Sequence, residues 1–306
     1  MVDRAALEMR CTGNCTGGSN PSLSARNCEA QAAGFYPVAF FCSKCIIFVS
    51  NLIYTNMKTL TTLTLTAMSI LSFFGCGRKT ADYPQDKITL ANGEEMTITF
   101  FKHASLSFEF DNRFIYVDPV DEYAKYDKLP QADLILITHS HYDHLDMAAV
   151  DKIHKPATHI VCDKTSAEAF EFDCITMTPG TTAQPLAGIT IEAVPAYNTS
   201  EGHLQFHPKE REDCGYILTI GGTRIYIAGD TENNDDIKAL ENIDIAFLPV
   251  NQPFTMTVDQ AVDVVKAIQP KIFYPYHYGG TEHTTDIDRL VRELDGVTTV
   301  RVRPME

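Results

Sequence analysis

Asp133-Leu134-Ile135-Leu136-Ile137-Thr138-His139-Ser140-His141-Tyr142-Asp143-His144 joins a continuous apolar run to three imidazoles and a carboxylate packed into six residues. An apolar run of this length, bounded by polar residues, reads as a buried strand, which puts the four coordinating side chains on a tight loop at its carboxyl end. Metal ligands need lone pairs held rigidly at fixed distances, and a strand end feeding a short loop supplies that at low entropic cost. A merely solvated polar loop has no use for four coordinating side chains in this spacing.

Outward from this stretch the pattern is β-rich upstream and alternating downstream. Runs at 96–101, 105–110 and 114–118, separated by Lys-His-Ala and Asp-Asn-Arg breaks, predict a meander. After the signature come a helix over 146–154, strands at 159–162, 174–177 and 190–194, and a short helix at 165–170. Segments 215–220 and 223–228, split by Gly221-Gly222, predict a tight hairpin. A buried strand at 244–250 precedes a helix over 258–268 that Pro270 stops; strand 271–276, helix 286–294 and strand 298–302 finish the chain. No internal repeat is legible. Strands in two blocks, each interspersed with helices, predict a single α/β domain of layered sheets with outer helices.

Charge narrows the function classes. Residues 1–75 carry 5 Lys/Arg and 3 Asp/Glu, whereas residues 76–306 carry 20 and 37, a net of −17. Nucleic-acid recognition normally uses a basic stripe that releases counterions, so the body predicts no nucleic-acid partner. All ten His fall between His103 and His283, while five of nine Cys (Cys11, Cys15, Cys28, Cys42, Cys45) fall in the first 45 residues, which marks two joined compositions. Cys42-Ser-Lys-Cys45 has zinc or redox spacing but no second pair. Cys162, Cys174 and Cys214 make no zinc pattern and read as core or surface thiols.

His139-x-His141-x-Asp143-His144 resembles the H-x-H-x-D-H signature of the metallo-β-lactamase fold superfamily. Later landmarks follow in order: a strand ending Ala228-Gly229-Asp230-Thr231 and another ending Pro275-Tyr276-His277. The resemblance spans residues 90–306 and implies a four-layer αββα sandwich. It implies that Asp230 bridges two metal ions and that His277 completes the second site. Many relatives place a third ligand for the first ion after a Pro-Ala-x strand end, where this chain has Pro195-Ala196-Tyr197-Asn198. Asn198 departs from the imidazole expected there. The same loop holds His203 and Phe206-His207-Pro208, and similarity to uncharacterised hydrolases carrying Ala-Tyr-Asn before Phe-His-Pro-Lys favours His207 over His203 or Asn198. The expected metal set is therefore His139, His141, Asp143, His144, His207, Asp230 and His277. His154 and His159 read as structural or surface residues. His103, in a Lys-His-Ala-Ser segment similar to Gly-His-Ala-Ser in many relatives, reads as a structural hydrogen-bonding residue in preference to one near the site, and His283 as either a substrate contact or a bystander.

The resemblance implies a metal-dependent hydrolase with two divalent ions. Zinc suits the His-rich positions, and oxygen-rich bridging positions admit manganese or iron. A water shared by the ions is activated to hydroxide, with Asp143 as the catalytic residue that holds it in line. His141, where redox di-iron relatives carry an acidic residue, points to hydrolysis. The substrate is a small molecule or lipid with an ester, lactone or phosphodiester bond, by likeness to the branch containing ascorbate-6-phosphate lactonase and N-acylphosphatidylethanolamine phospholipase. The alternative is a non-catalytic envelope metal-binding protein of the same fold.

From Met57 the chain reads MKTLTTLTLTAMSILSFFGCGRKTADYP: one positive charge, an uncharged run over 60–74, then Gly75 before Cys76. This resembles a bacterial lipoprotein signal, although Phe73 stands where Leu is usual. It predicts a signal over 57–75, an acylated Cys76 anchoring a 76–306 hydrolase domain in the cell envelope, and an extension over 1–56 that is spurious or disordered. A cytoplasmic location follows if the signal reading fails. The oligomeric state is not legible.

Overall fold

Leu134, Ile135, Leu136 and Ile137 form one strand of a computed structural model in which residues 83–279 and 284–306 are described. All four are buried because the strand is covered on both faces. Leu134 and Leu136 enter the main core, while Ile135 and Ile137 enter a second cluster on the opposite face. A two-residue side-chain period feeding two cores explains why this strand reads as an unbroken apolar run.

In chain order the first sheet contains β1 (Gln85–Thr89), β2 (Glu95–Lys102), β3 (Ser105–Phe110), β4 (Arg113–Val117), β5 (Leu134–Ile137), β6 (His159–Cys162) and β7 (Ile175–Thr176), with α1 (Met147–Ile153) after β5. β1 to β4 pair antiparallel and β4 to β7 pair parallel. The second sheet contains β8 (Thr182–Leu186), β9 (Ile189–Pro195), β10 (Cys214–Ile220), β11 (Thr223–Ile227), β12 (Ile245–Val250), β13 (Ile272–Tyr278) and β14 (Thr299–Val300). Its β8 to β11 are antiparallel and its β11 to β14 parallel, so the two sheets repeat one topology that the sequence does not announce. The helices here are α2 (Asp235–Lys238), α3 (Val258–Ile268) and α4 (Ile287–Glu293).

The sheets pack face to face through an aromatic centre. Phe247 of β12 lies with ring centroids 6.4 Å from Phe100, 6.1 Å from Phe108 and 4.9 Å from Tyr274. Truncating such a ring to Ala costs about 3–5 kcal/mol. On the outer face of the first sheet, Ala149, Val150 and Ile153 of α1 cover Ile135, Ile137 and Ile160. On the second, α3 buries Ala261, Val264 and Val265, begins with a Thr257/Gln260 capping box and ends at Gln269 in the left-handed region. The result is the expected four-layer sandwich.

Most expected elements are present within a residue or two. The short helix expected at 165–170 is a 3-10 turn, Ser166–Ala169. The hairpin turn is as expected: Ile220 pairs with Thr223, and Gly221 and Gly222 both have positive φ, which the tight turn requires. β1, β8 and α2 were not anticipated. The expected upstream extension, the Cys42/Cys45 pair, the signal-like run with Cys76, and His283 lie outside the described residues.

Candidate metal centre

Every expected ligand sits at or just beyond a strand's carboxyl end or on a loop leaving one, the end where open α/β sheets gather their binding groups. Thr138 and His139 follow β5, Asp230 follows β11, His277 is near the end of β13, and His207 lies on the loop between β9 and β10. Gly229, at φ +64, lets the Asp230 turn approach the signature: a Cβ there would lie 3.1 Å from Thr138 Cβ and 3.2 Å from the Cys214 carbonyl.

Three rings meet at the first position. His139 Nε2 lies 3.0 Å from His141 Nδ1, which lies 3.3 Å from His207 Nε2. Each ring is oriented from behind. His139 Nδ1–H donates to Thr138 Oγ1 (3.0 Å), whose hydroxyl donates to Asp118 Oδ2 (2.7 Å). His207 Nδ1–H donates to the Phe254 carbonyl at 3.2 Å, leaving Nε2 facing the cluster.

The second position gathers His103, Asp143, His144 and His277, whose ligand atoms lie within 4.8 Å of one another. His144 Nδ1–H donates to the fully buried Asp118 Oδ2 at 2.8 Å. The Asn251 side-chain amide lies 3.3 Å from His277 Nδ1. His103, expected as a structural hydrogen-bonding residue, does hydrogen-bond, but its partner is Asp143 Oδ2 at 3.2 Å, and its ring stands 3.6 Å from that of His277. His103 and His277 both adopt positive φ and are joined by a His277 N–H to His103 carbonyl bond of 3.0 Å. Such backbone conformations cost of order 1–3 kcal/mol each and persist where the surrounding structure enforces them.

Asp230 stands between the two groups. Its Oδ1 lies 3.3 Å from His144 Nε2, and its Oδ2 lies 3.3 Å from both His207 Nε2 and His277 Nε2. Yet Asp230 Oδ1, His144 Nε2 and His277 Nε2 are buried and form no hydrogen bond. Orphaned polar atoms are costly in a protein interior, and two unpartnered ring nitrogens facing a carboxylate whose own Oδ1 is unpartnered fit a divalent cation beside Asp230.

The electrostatics agree. Burial pushes Asp230 up, but His277 and His144 outweigh it and hold the carboxylate well below its usual range. Burial likewise raises Asp143, and the hydrogen bond from His103 together with the nearby His277 ring reverses the shift. Burial lowers His144 and His277, but Asp230 leads the opposing causes that carry His144 well above its ordinary value and His277 up to about 9. Burial, with neighbouring rings, lowers His139 well below its ordinary value and His207 to about 4. Burial and then Arg211 lower His141. Burial, then the neighbouring His277, lowers His103 of the second group to about 4, so that group holds rings shifted in both directions while the three rings of the first are all shifted toward the neutral form.

Of the three residues considered for the third ligand on the loop between β9 and β10, His207 is the one that lies with His139 and His141. Asn198 donates its side-chain N–H to the Phe254 and His203 carbonyls (2.8 and 3.2 Å) and its backbone N–H to the His207 carbonyl (2.8 Å), so it braces His207. His203 pairs with the buried Glu232 at 3.0 Å instead of joining the cluster. Glu232 Oε2 also accepts from the backbone N–H groups of Thr199 and Ser200, fixing the loop's path. His154 caps α1 and stacks on Phe172, and His159 opens β6, both away from the centre. Sequence reasoning missed Asp118, Arg211, Asp213, Glu232 and Asn251. Of these, only Asp118 and Asn251 carried a usable signal, a polar residue directly after an apolar strand.

Residues 97–277 match the family described as Beta-lactamase superfamily domain. A UPF0173 metal-dependent hydrolase of Nanoarchaeum equitans is 31% identical over 189 residues, covering 60% of this chain and 84% of the relative. A solved structure assigned as a metal-dependent hydrolase from Parabacteroides distasonis aligns with a TM-score of 0.69 and 47% identity, over 73% of this chain and 100% of that one. Igni18, a metallo hydrolase from Ignicoccus hospitalis, aligns with a TM-score of 0.57 and 24% identity, over 68% of this chain and 95% of that one, a likeness of fold.

Proposed function

Because the chain belongs to the Beta-lactamase superfamily domain family, among the UPF0173 metal-dependent hydrolases, we propose that it holds two divalent ions and hydrolyses an ester, lactone or phosphodiester of a small molecule or lipid. His139, His141 and His207 would hold one ion, Asp143, His144 and His277 the other, and Asp230 would serve both. Zinc suits this donor set best, with manganese or iron(II) as the alternatives. Ions bound there supply a water acidified toward neutral pH and a Lewis acid for the substrate's carbonyl or phosphoryl oxygen.

The chain's own part is to position and to move protons. Asp143, one-fifth exposed, is the carboxylate open to a reacting water, and its Oδ2 accepts from His103 Nε2–H, which fixes its orientation. It takes a proton from the water and returns it to the leaving group. Asp118, through Thr138 and His144, keeps both groups of rings aimed inward. The observation that carries this reading is that Asp230, with its own Oδ1 unpartnered, lies 3.3 Å from the unpartnered, buried Nε2 atoms of His144 and His277 and from His207 Nε2, between two sets of candidate ligands. We extend the proposal to location: Cys76, acylated after removal of 57–75, tethers the domain in the cell envelope.

The test is metal content of the chain purified without chelator, followed by turnover of model esters, lactones and phosphodiesters. About two ions per chain and turnover lost in Asp143→Ala are expected. One ion or none would overturn the shared-site reading, and two ions without turnover of any substrate would favour a metal-binding protein that has lost its chemistry.

A further inference from the structure

Among the described residues, the three most exposed large apolar side chains all stand on loops that carry or brace the candidate ligands. Tyr142, 86% exposed, lies between His141 and Asp143; Leu204, 50% exposed, lies three residues before His207; and Phe254, 43% exposed, lies on the loop between β12 and α3. A run of neighbours joins these loops. Tyr142 adjoins His141, whose Nδ1 is 3.3 Å from His207 Nε2, and His207 adjoins Phe206, whose ring meets that of Phe254 edge-on with centroids 4.9 Å apart. The Phe254 carbonyl accepts from His207 Nδ1–H (3.2 Å) and from the Asn198 side chain (2.8 Å), which pins its loop behind the first ligand position while its ring stays in solvent. The exposed apolar groups therefore border the first position, Tyr142 by way of His141 and the phenylalanines by way of His207. Contiguous exposed apolar surface of this kind marks a place where a ligand or partner sits.

The residues just before Leu204 and Phe254 border a recess. His203 and Pro253, with Val250, Met256 and, from the start of α4, Asp286 and Arg289, line a space of about 380 Å³. Its two basic groups are already engaged: His203 Nδ1 lies 3.0 Å from Oε1 of the buried Glu232, and Arg289 bonds Asp259 and, at 2.6 Å, Glu293 Oε1. Asp286 Oδ1 caps α4 by accepting the Arg289 backbone N–H at 2.9 Å. A group entering this recess meets apolar side chains from the two loops and a carboxylate from α4, and both lining cations are taken. Such a lining suits an uncharged group, because a charge placed there would lose its water without gaining a partner.

Resting on the two-ion reading above, we propose that Tyr142, Leu204, Phe206 and Phe254, with the recess beside them, bind the non-reacting end of the substrate and select one that is apolar and uncharged there. The substrate class is then an ester or lactone bearing an alkyl or aryl group, as opposed to one that carries a phosphate or carboxylate away from the bond that breaks.

The experiment titrates acetate, octanoate and octanedioate into the zinc-loaded full chain by calorimetry, with zinc content measured in parallel. Each probe offers one carboxylate to the ions, and they differ only in what lies at the far end. Octanoate should bind about tenfold or more tighter than acetate, a fraction of the gain that full burial of its methylenes would bring, and octanedioate should lose that gain. The double variant Tyr142→Ala/Leu204→Ala removes two exposed side chains, so it should fold as wild type. It should weaken octanoate about threefold to tenfold and acetate far less, with zinc content unchanged. Equal affinity for acetate and octanoate would refute the proposal, as would octanedioate binding as tightly as octanoate, or a double variant with wild-type affinity for octanoate. Binding to phosphatidylcholine vesicles that is lost in the double variant while octanoate affinity is kept would make the patch a membrane contact and would also overturn it. A wild type that takes up no zinc would bring down the two-ion reading itself, a result distinct from a loaded chain indifferent to chain length.

Discussion

Replacing Asp118 with Asn tests whether a residue that touches no ion governs the second position. Asp118 is fully buried and accepts from Thr138 N–H at Oδ1 (2.8 Å) and, at Oδ2, from Thr138 Oγ1 (2.7 Å) and His144 Nδ1–H (2.8 Å). Asn can keep the backbone bond with its one oxygen, but its NH2 group then replaces the acceptor shared by Thr138 and His144. The His144 ring must then accept at Nδ1, which moves its proton to Nε2, the atom facing Asp230 at 3.3 Å. Loss of such an outer partner typically costs about 10- to 100-fold in metal affinity, or roughly 1.4–2.7 kcal/mol. His139 is affected through the same Thr138 hydroxyl, but only at second hand. Chelator competition should therefore strip one zinc from Asp118→Asn at a lower chelator concentration than from wild type, while the other zinc resists. Wild-type affinity for both ions in a folded variant would refute the reasoning.

Three further outcomes are expected. Asp86 is buried where β1 meets Arg301, Arg303 and Tyr274, and although burial raises it, hydrogen bonds from Tyr274 and Arg303 bring its carboxyl below the usual value; Asp86→Asn should cost about 2 kcal/mol near neutral pH. A depressed folded-state value means that this stabilisation is complete above the unfolded carboxyl's pKa, near 4, and is lost as pH falls through the folded one; urea titrations at about pH 7 and 3 should show the gap between the two proteins closing, and a gap that widens in acid would exclude the ion cluster as its source. Tyr142 is 86% exposed between two expected ligands, so Tyr142→Ala should leave stability within about 0.5 kcal/mol while lowering kcat/KM for apolar esters about threefold to tenfold; unchanged turnover would remove Tyr142 from the substrate's path. Palmitate labelling of expressing bacteria should mark the wild-type chain and not Cys76→Ala, and equal labelling would end the lipoprotein reading.

What could be read in the sequence divides along a physical line. The signature was legible because its ligands are neighbours on the chain, and the buried strand before it has the unbroken apolar pattern that two covered faces impose. His207, Asp230 and His277 were legible only through likeness to a family, since nothing local says that three strand ends converge. β8 escaped notice because its residues are at least partly exposed and Pro185 interrupts the pattern, as befits an edge strand. His103 was legible as a hydrogen-bonding residue but its partner was not, because that comes from the turn between β2 and β3, where a left-handed backbone presents its carbonyl to His277 and its ring to Asp143.

Asp118 shows why the supporting residues are the hardest to foresee. It stands 20 residues before Thr138 and 26 before His144, and reaches both only because β4 and β5 pair in parallel with Val117 opposite Leu136. The backbone bond from Asp118 N–H to the Leu136 carbonyl (2.9 Å) continues that ladder one residue past the strand and sets the carboxylate under the signature loop. A one-residue slip would turn Asp118 to the opposite face and leave Thr138 and His144 without their acceptor. The ligands can thus be named from a short motif, but the orientation of their lone pairs depends on the register of a parallel strand pair. Metal affinity at the second position should therefore depend on Asp118, about 10- to 100-fold, although that residue touches no ion.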